Sequence, residues 1–144
     1  MLLPGAECAK GALPPGHPPP RLHFQTIHPH ARDMPHTDAV VVMTTVASPD
    51  EAVTLVRTLL DRRLIACGTI MPAARSLYRW EGKIADEQET VVLLKTRSAR
   101  IETLQVAFGE LHPYKVPELL ALPVMAGSEK YLAWINGETT LALT

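Results

Sequence analysis

Two short β-branched runs constrain this 144-residue chain more than anything else in it. Ala39–Met43 and Thr90–Leu94 each read as a buried central strand. Each is followed within a few residues by an amphipathic segment with its own start signal. After the first run, Ser48 is an N-cap, Pro49 fits the first helical position and Glu51 at N3 completes a capping box. Ala52, Leu55, Val56, Leu59 and Leu60 then recur at helical spacing, and Asp61, Arg62 and Arg63 end the helix. After the second run, Ser98 reads as the cap of a helix carrying Ile101, Leu104, Phe108 and Leu111, stopped by His112-Pro113.

The segments between and after them fill out the pattern. Leu64–Ile70 predicts a strand that Pro72 interrupts with a bend or bulge and that resumes through Leu77–Trp80. Glu81-Gly82-Lys83 is a tight reversal, with Gly82 free to take positive φ. The chain returns through Ile84 and the polar run Ala85–Glu89 into Thr90. The resulting hairpin is longer than the core, so its tip must project into solvent or onto a neighbour. Val116–Val124, bounded by Pro117 and Pro123, predicts an edge strand. Ser128 reads as the cap of a third helix with Tyr131, Leu132, Trp134 and Ile135, and Asn136-Gly137 as its stop. The order β-α-β-β-α-β-α is an α+β, ferredoxin-like βαββαβ fold with an added C-terminal helix and a long hairpin between its second and third strands. One sheet face is then left without helices and needs a cover, for which self-association is the economical solution.

Composition divides the chain into a tail, 1–37, and a folded body, 38–144. Residues 1–37 hold eight of the 13 prolines and five of the six histidines, which predicts an extended, solvated tail. Met34 is an alternative start just ahead of the first patterned segment. His28, His30 and His36 could chelate a cation only if the tail were ordered first. The formal net charge of −1 offers no basic field for nucleic acid. The apolar runs are too short to span a membrane. Two cysteines, Cys8 and Cys67, cannot form a disulfide framework and point to a reducing, cytoplasmic setting.

Leu64-Ile-Ala-Cys-Gly-Thr-Ile70, Ser76-Leu-Tyr-Arg-Trp-Glu-Gly-Lys83, Glu89 with Leu94-Lys-Thr96, His112-Pro-Tyr114, Pro117-Glu-Leu-Leu120 and Tyr131-Leu-Ala-Trp-Ile135 follow one another at a spacing that resembles the CutA divalent-cation tolerance family. The resemblance covers about Val40–Gly137 and none of the tail. It implies a stable homotrimer of ferredoxin-like subunits resembling that of the PII signalling proteins, with the hairpin reaching over a neighbour and edge strands pairing between chains. It also implies a role in tolerance to copper and other divalent cations in bacteria, an association with acetylcholinesterase anchoring in mammals, and no established reaction.

Set against the family's copper pattern, Thr44 stands at the place of a first-strand cysteine, and an adjacent histidine pair is reduced to Leu111-His112. One imidazole, His112, is a weak site alone, and it has an alternative role as a helix C-terminal cap. Cys67 reads first as a small buried hydrophobe and only then as a soft-metal ligand or an activated nucleophile. Tyr78, Trp80, Tyr114 and Trp134 suit subunit interfaces. With Glu89, Lys95, Lys115 and Glu118 they could line a polar pocket between subunits. The expected function is that of a non-enzymatic, trimeric divalent-cation tolerance protein, binding copper or another divalent cation weakly. The alternatives are a PII-like regulator that takes a small anionic ligand between subunits and signals to a protein partner, and a small cysteine- or metal-dependent enzyme.

Overall fold

The computed structural model describes residues 37–141. The tail expected over 1–37 lies outside the described residues, except for Thr37, whose hydroxyl donates to the Val124 carbonyl at 2.6 Å. The order along the chain is β1 (Ala39–Val46), α1 (Pro49–Asp61), β2 (Cys67–Trp80), β3 (Lys83–Arg97), α2 (Ile101–Leu111), β4 (Leu120–Pro123) and α3 (Glu129–Glu138). The four strands form one antiparallel sheet in the order β2-β3-β1-β4. That is the expected ferredoxin-like arrangement with a third helix added.

The core follows from period-two alternation in the two central strands. Val40, Val42 and Val46 of β1 and Val92 and Leu94 of β3 face one side. There they meet Ala52, Leu55, Val56 and Leu59 of α1 and Leu104, Ala107 and Phe108 of α2. The odd-numbered residues Val41, Met43, Val91 and Leu93 are only half-buried. The run at 39–43 predicted a strand buried on both faces. It is sealed on one, because both long helices lie on that side. On the other side α3 covers only the Ala39 end, where Ile135 packs on Ala39 and Ala66 with Leu132 and Val124 beside them.

The start of α1 is the predicted one. The Glu51 backbone N–H donates to Ser48 Oγ, and the Glu51 carboxylate accepts from the Ser48 N–H, both at 3.2 Å. The hairpin turn is also as predicted: Glu81 (φ 48°) and Gly82 (φ 78°) form its two central residues, with Trp80 paired to Lys83. Of β3, only Thr90–Arg97 pairs with β1. The Lys83–Glu89 half of β3 therefore runs past β1 as a two-stranded ribbon, roughly 20 Å long at strand rise.

Four expectations shift, at the start of β2, the start of α2, the length of β4 and the ends of α3, while the expected break at Pro72 holds. β2 starts at Cys67, not Leu64. Arg63 (φ 52°) reverses the chain after α1, and Leu64–Ala66 enter the core as a buried connector. The interruption at Pro72 is a β-bulge between Met71 and Ala74, with Ala73 at φ 64°. Ser98 opens a single 3-10 turn and bonds the Asp38 carboxylate, so α2 begins at Ile101 without a side-chain cap. β4 has four residues and holds the predicted edge, with Pro117 outside it. α3 makes no side-chain cap bond at Ser128 and runs through Asn136-Gly137 to Glu138. It is closed by the buried Thr139, whose hydroxyl bonds the Ile135 carbonyl at 2.8 Å.

Helix α1 lies so close to β2 that a Cβ on Gly68 would stand 2.6 and 2.7 Å from the Val56 methyls. Gly68→Ala should therefore lower stability by about 1–3 kcal/mol in urea unfolding, the cost of overpacking. Gly109→Ala, in α2 with open space around it, should raise stability by roughly 0.5–1 kcal/mol.

Candidate functional site

The end of α2 builds a connected polar group that joins β1, β3 and the loop after α2. Pro113 cannot continue the helix, so His112 becomes its C-cap, with its N–H on the Phe108 carbonyl at 3.0 Å. The ring is 8% exposed as a residue and packs between Phe108 and Tyr114, each 5.3 Å away by ring centroid. It does not bond the helix's last carbonyls as a side-chain cap would. The Tyr114 backbone N–H donates to Nδ1 at 3.1 Å, and Nε2 lies 3.0 Å from Thr44 Oγ1 on β1. A backbone N–H only donates, so Nδ1 holds the lone pair. The neutral ring carries its proton on Nε2 and donates to Thr44.

This bond orients the segment that follows. The Tyr114 hydroxyl donates to Glu89 Oε1 at 3.0 Å, and Glu89 is 6% exposed. Burial, then the Glu89 hydrogen bond and charge, push the Tyr114 hydroxyl well above the ordinary tyrosine range. Glu118 is raised too, by burial first and by the Glu89 charge second. The Tyr78 hydroxyl donates to Glu87 at 2.9 Å, and that bond leads the rise of its own pKa. Glu51 and Glu87 add further negative potential at Tyr114. The group is thus acidic and stays protonated at its tyrosines.

The eight residues expected to line a pocket fall into separate places. Tyr114, Glu89 and Glu118 come together, with Tyr78 close by. Lys115 is exposed beside Tyr114. Lys95 lies elsewhere, in the open face of the sheet opposite Cys67 and Val41. Its ammonium is 3.7 Å from Cys67 Sγ and bonds the Thr69 hydroxyl. Tyr131 of α3 reaches the same thiol. Its hydroxyl is raised by burial first and by Cys67 second. Trp134 stacks at 5.4 Å on Tyr131, and Trp80 stands exposed at the hairpin turn.

Thr44, Glu51, Glu87 and Tyr131 complete these groups: Thr44 was read only against the family's copper pattern, Glu51 only as part of a capping box and Tyr131 only as a residue of the third helix, and Glu87 was not singled out from sequence. Only Thr44 left a signal. It continues the Val40, Val42 alternation, and a hydroxyl on the buried face must find a partner.

Of the residues weighed as metal ligands, His28, His30 and His36 lie outside the described residues, and His112 and Cys67 do not share a site within one chain. His112 sits on the helix-covered side by Thr44, and Cys67 is in the open face opposite Lys95. Both imidazole nitrogens are engaged. Among the described residues no three His, Cys, Asp or Glu side chains converge. A cation-binding centre of the usual three or four fixed donors therefore does not fit these residues as one chain arranges them.

Burial holds the His112 pKa below an ordinary histidine's, against the raising effects of the Thr45 backbone and Glu51. The unfolded chain then binds the extra proton, so this residue's contribution rises with pH from its depressed value up to the ordinary 6.5 and is flat above. Chemical denaturation of wild type and His112→Gln across pH 4–8 should show a gap of about 1–2 kcal/mol at neutrality that closes in acid. A gap independent of pH would contradict the buried neutral ring.

Comparison with known proteins agrees with this architecture. A family described as CutA1 divalent ion tolerance protein matches residues 40–138. The Divalent-cation tolerance protein CutA of Pectobacterium atrosepticum is 44% identical over 106 residues, covering 72% of this chain and 94% of that protein. The protein of the same name from Thermus thermophilus is 40% identical over 99 residues, covering 69% and 96%. The crystal structure of CutA from Xylella fastidiosa superposes with a TM-score of 0.69 at 38% identity, over 72% of this chain and 99% of that one. The chain belongs to the CutA1 divalent ion tolerance family.

Proposed function

We propose that this chain serves divalent-cation tolerance as a cytoplasmic homotrimer, without catalysing a reaction and with only weak contact to copper or another divalent ion. The open sheet face carries this reading. The ladder places Leu122, Val41, Lys95 and Cys67 in one row and Leu120, Met43, Leu93 and Thr69 in the next, with Thr45, Val91 and Met71 beyond. Leu120 and Leu122 are 51% and 50% exposed, and Met71 is exposed as well. Such a largely apolar surface, with only Lys95, Thr45 and Thr69 as polar groups in these rows, is what a second subunit covers. The ribbon adds Leu77, Tyr78, Trp80 and Ile84, all exposed in one chain. This supports the trimer that the family resemblance implies, with the ribbon lying on a neighbour.

The non-enzymatic part rests on how the reactive groups are used. His112 spends both nitrogens on Thr44 and Tyr114. Cys67 has Lys95 and Tyr131 near it rather than an imidazole base. Weak cation contact rests on the same geometry, since selectivity requires several donors in fixed places. The PII-like alternative has charge against it. The Glu89, Glu118 and Glu87 cluster around Tyr114 would repel a small anion.

Native mass spectrometry should give a trimer at micromolar concentration, and Leu122→Glu should shift it towards monomer. That substitution should also make the melting temperature depend on concentration, as mass action requires. A monomeric wild-type protein would overturn the assembly. Calorimetric titration with copper and zinc should give no tight saturable site, and His112→Ala should leave the isotherms unchanged. A saturable site lost in His112→Ala would overturn the weak-contact reading.

A further inference from the structure

We propose that the cleft between α3 and the Ala39–Arg97 end of the sheet binds a small monocarboxylate with a short aliphatic chain, with Arg97 as the recognising cation. The cleft has a volume of about 290 Å3 and is lined by Ala39 and Arg97 of the sheet and by Leu132, Ala133, Ile135 and Asn136 of α3, with Thr37 and Asp38 at its β1 edge. That volume is at the lower limit of ligand pockets, which suits a molecule of a few carbons. Its walls are aliphatic along Ala39, Leu132, Ala133 and Ile135, with the Arg97 guanidinium and Asn136 carboxamide among them and the Thr37 hydroxyl and Asp38 carboxylate at the edge.

Among the described residues Arg97 has no ion-pair partner, and the one carboxylate in the cleft lining, Asp38, lies beyond ion-pair distance of it. Arg97 donates through Nη1 to Asn136 Oδ1 at 3.0 Å and through Nη2 to the Thr139 carbonyl at 3.3 Å, both neutral acceptors. Its Nε is buried with no hydrogen-bond partner. Arg100 donates to the same Thr139 carbonyl at 2.6 Å. Two guanidinium groups thus converge on one oxygen, and among the described residues neither makes an ion pair. Like charges this close raise the local potential, and an anion relieves it.

A carboxylate fits better than other anions. Its planar fork matches guanidinium, and its alkyl chain can lie along Leu132, Ala133 and Ile135. Asp38, bonded to the Ser98 hydroxyl, adds one negative charge at the edge and disfavours multiply charged phosphates.

Calorimetry and ligand-observed NMR on the full chain would use isovalerate as the probe, with isovaleramide and inorganic phosphate as comparisons. Isovalerate should bind saturably, and the uncharged amide and phosphate should not. Arg97→Gln should weaken isovalerate by about tenfold or more, the scale of a lost charge-assisted bond. Arg97 also anchors α3, so a second variant guards against a folding effect. Ala133→Phe, on an exposed helix position, should fill the cleft and abolish binding with an unchanged melting temperature. No saturable isovalerate binding, equal binding of the amide or phosphate, or an Ala133→Phe protein that binds like wild type would each overturn the proposal.

Discussion

The packing of α1 and α2 on a single face of β1 and β3 governs the rest of this molecule. Because strand side chains alternate, every residue that meets the helices leaves its neighbour on the other side. Val40, Val42 and Val46 go to zero or near-zero exposure, while Val41 and Met43 do not. Those neighbours are themselves apolar, so the sheet has two hydrophobic faces and one complete cover. Helix α3 is too short to supply the second cover, and its cluster with Ala39 and Ala66 closes only one end. The unfinished face and the ribbon beyond β1 belong to one problem, and a neighbouring copy addresses both.

The polar group at the other end of the sheet works by linking elements that packing alone would leave independent. Thr44 belongs to β1, His112 to the end of α2, Tyr114 to the following loop and Glu89 to the part of β3 beside the β2 bulge. Each bond uses a donor or acceptor that would be costly to bury unpaired. That fixes one tautomer of His112 and removes its lone pair from ligand chemistry. It also gathers carboxylates around Tyr114, which gives this region an acidic character unlike the guanidinium-lined cleft at the Arg97 end.

Local features of the fold were legible in the sequence wherever a few adjacent residues decide them. The capping box at Ser48 and Glu51, the Glu81-Gly82 turn and the helical stripes of α1 and α2 depend on neighbours within one or two turns. Where distant groups compete, the local reading shifts. Ser98 has the chemistry of a helix cap, but Asp38, sixty residues away, takes its hydroxyl. Asn136-Gly137 is a stop signal, but α3 passes through it to reach the buried Thr139 and the arginines that hold the Thr139 carbonyl. The eight pocket residues were chosen by type and motif. Their division into an acidic group, a thiol–ammonium pair and two separate tryptophans depends on which face of which strand each occupies.

The amino-acid order alone determined the element types, the ferredoxin-like topology and the family. The elements follow from hydrophobic period, caps and turns, which are short-range properties of a chain, while the family rests on the resemblance of ordered motifs such as Ser76–Lys83 and His112–Tyr114. Tertiary structure decided which nitrogen of His112 bears the proton, that His112 and Cys67 lie on opposite sides of the sheet, and that Arg97 and Arg100 meet at one carbonyl. The Tyr114 N–H sets the first, the pairing of β2 with β3 the second and the Thr139 carbonyl at the end of α3 the third. Register is a long-range pairing in which a slip of one residue exchanges the two faces.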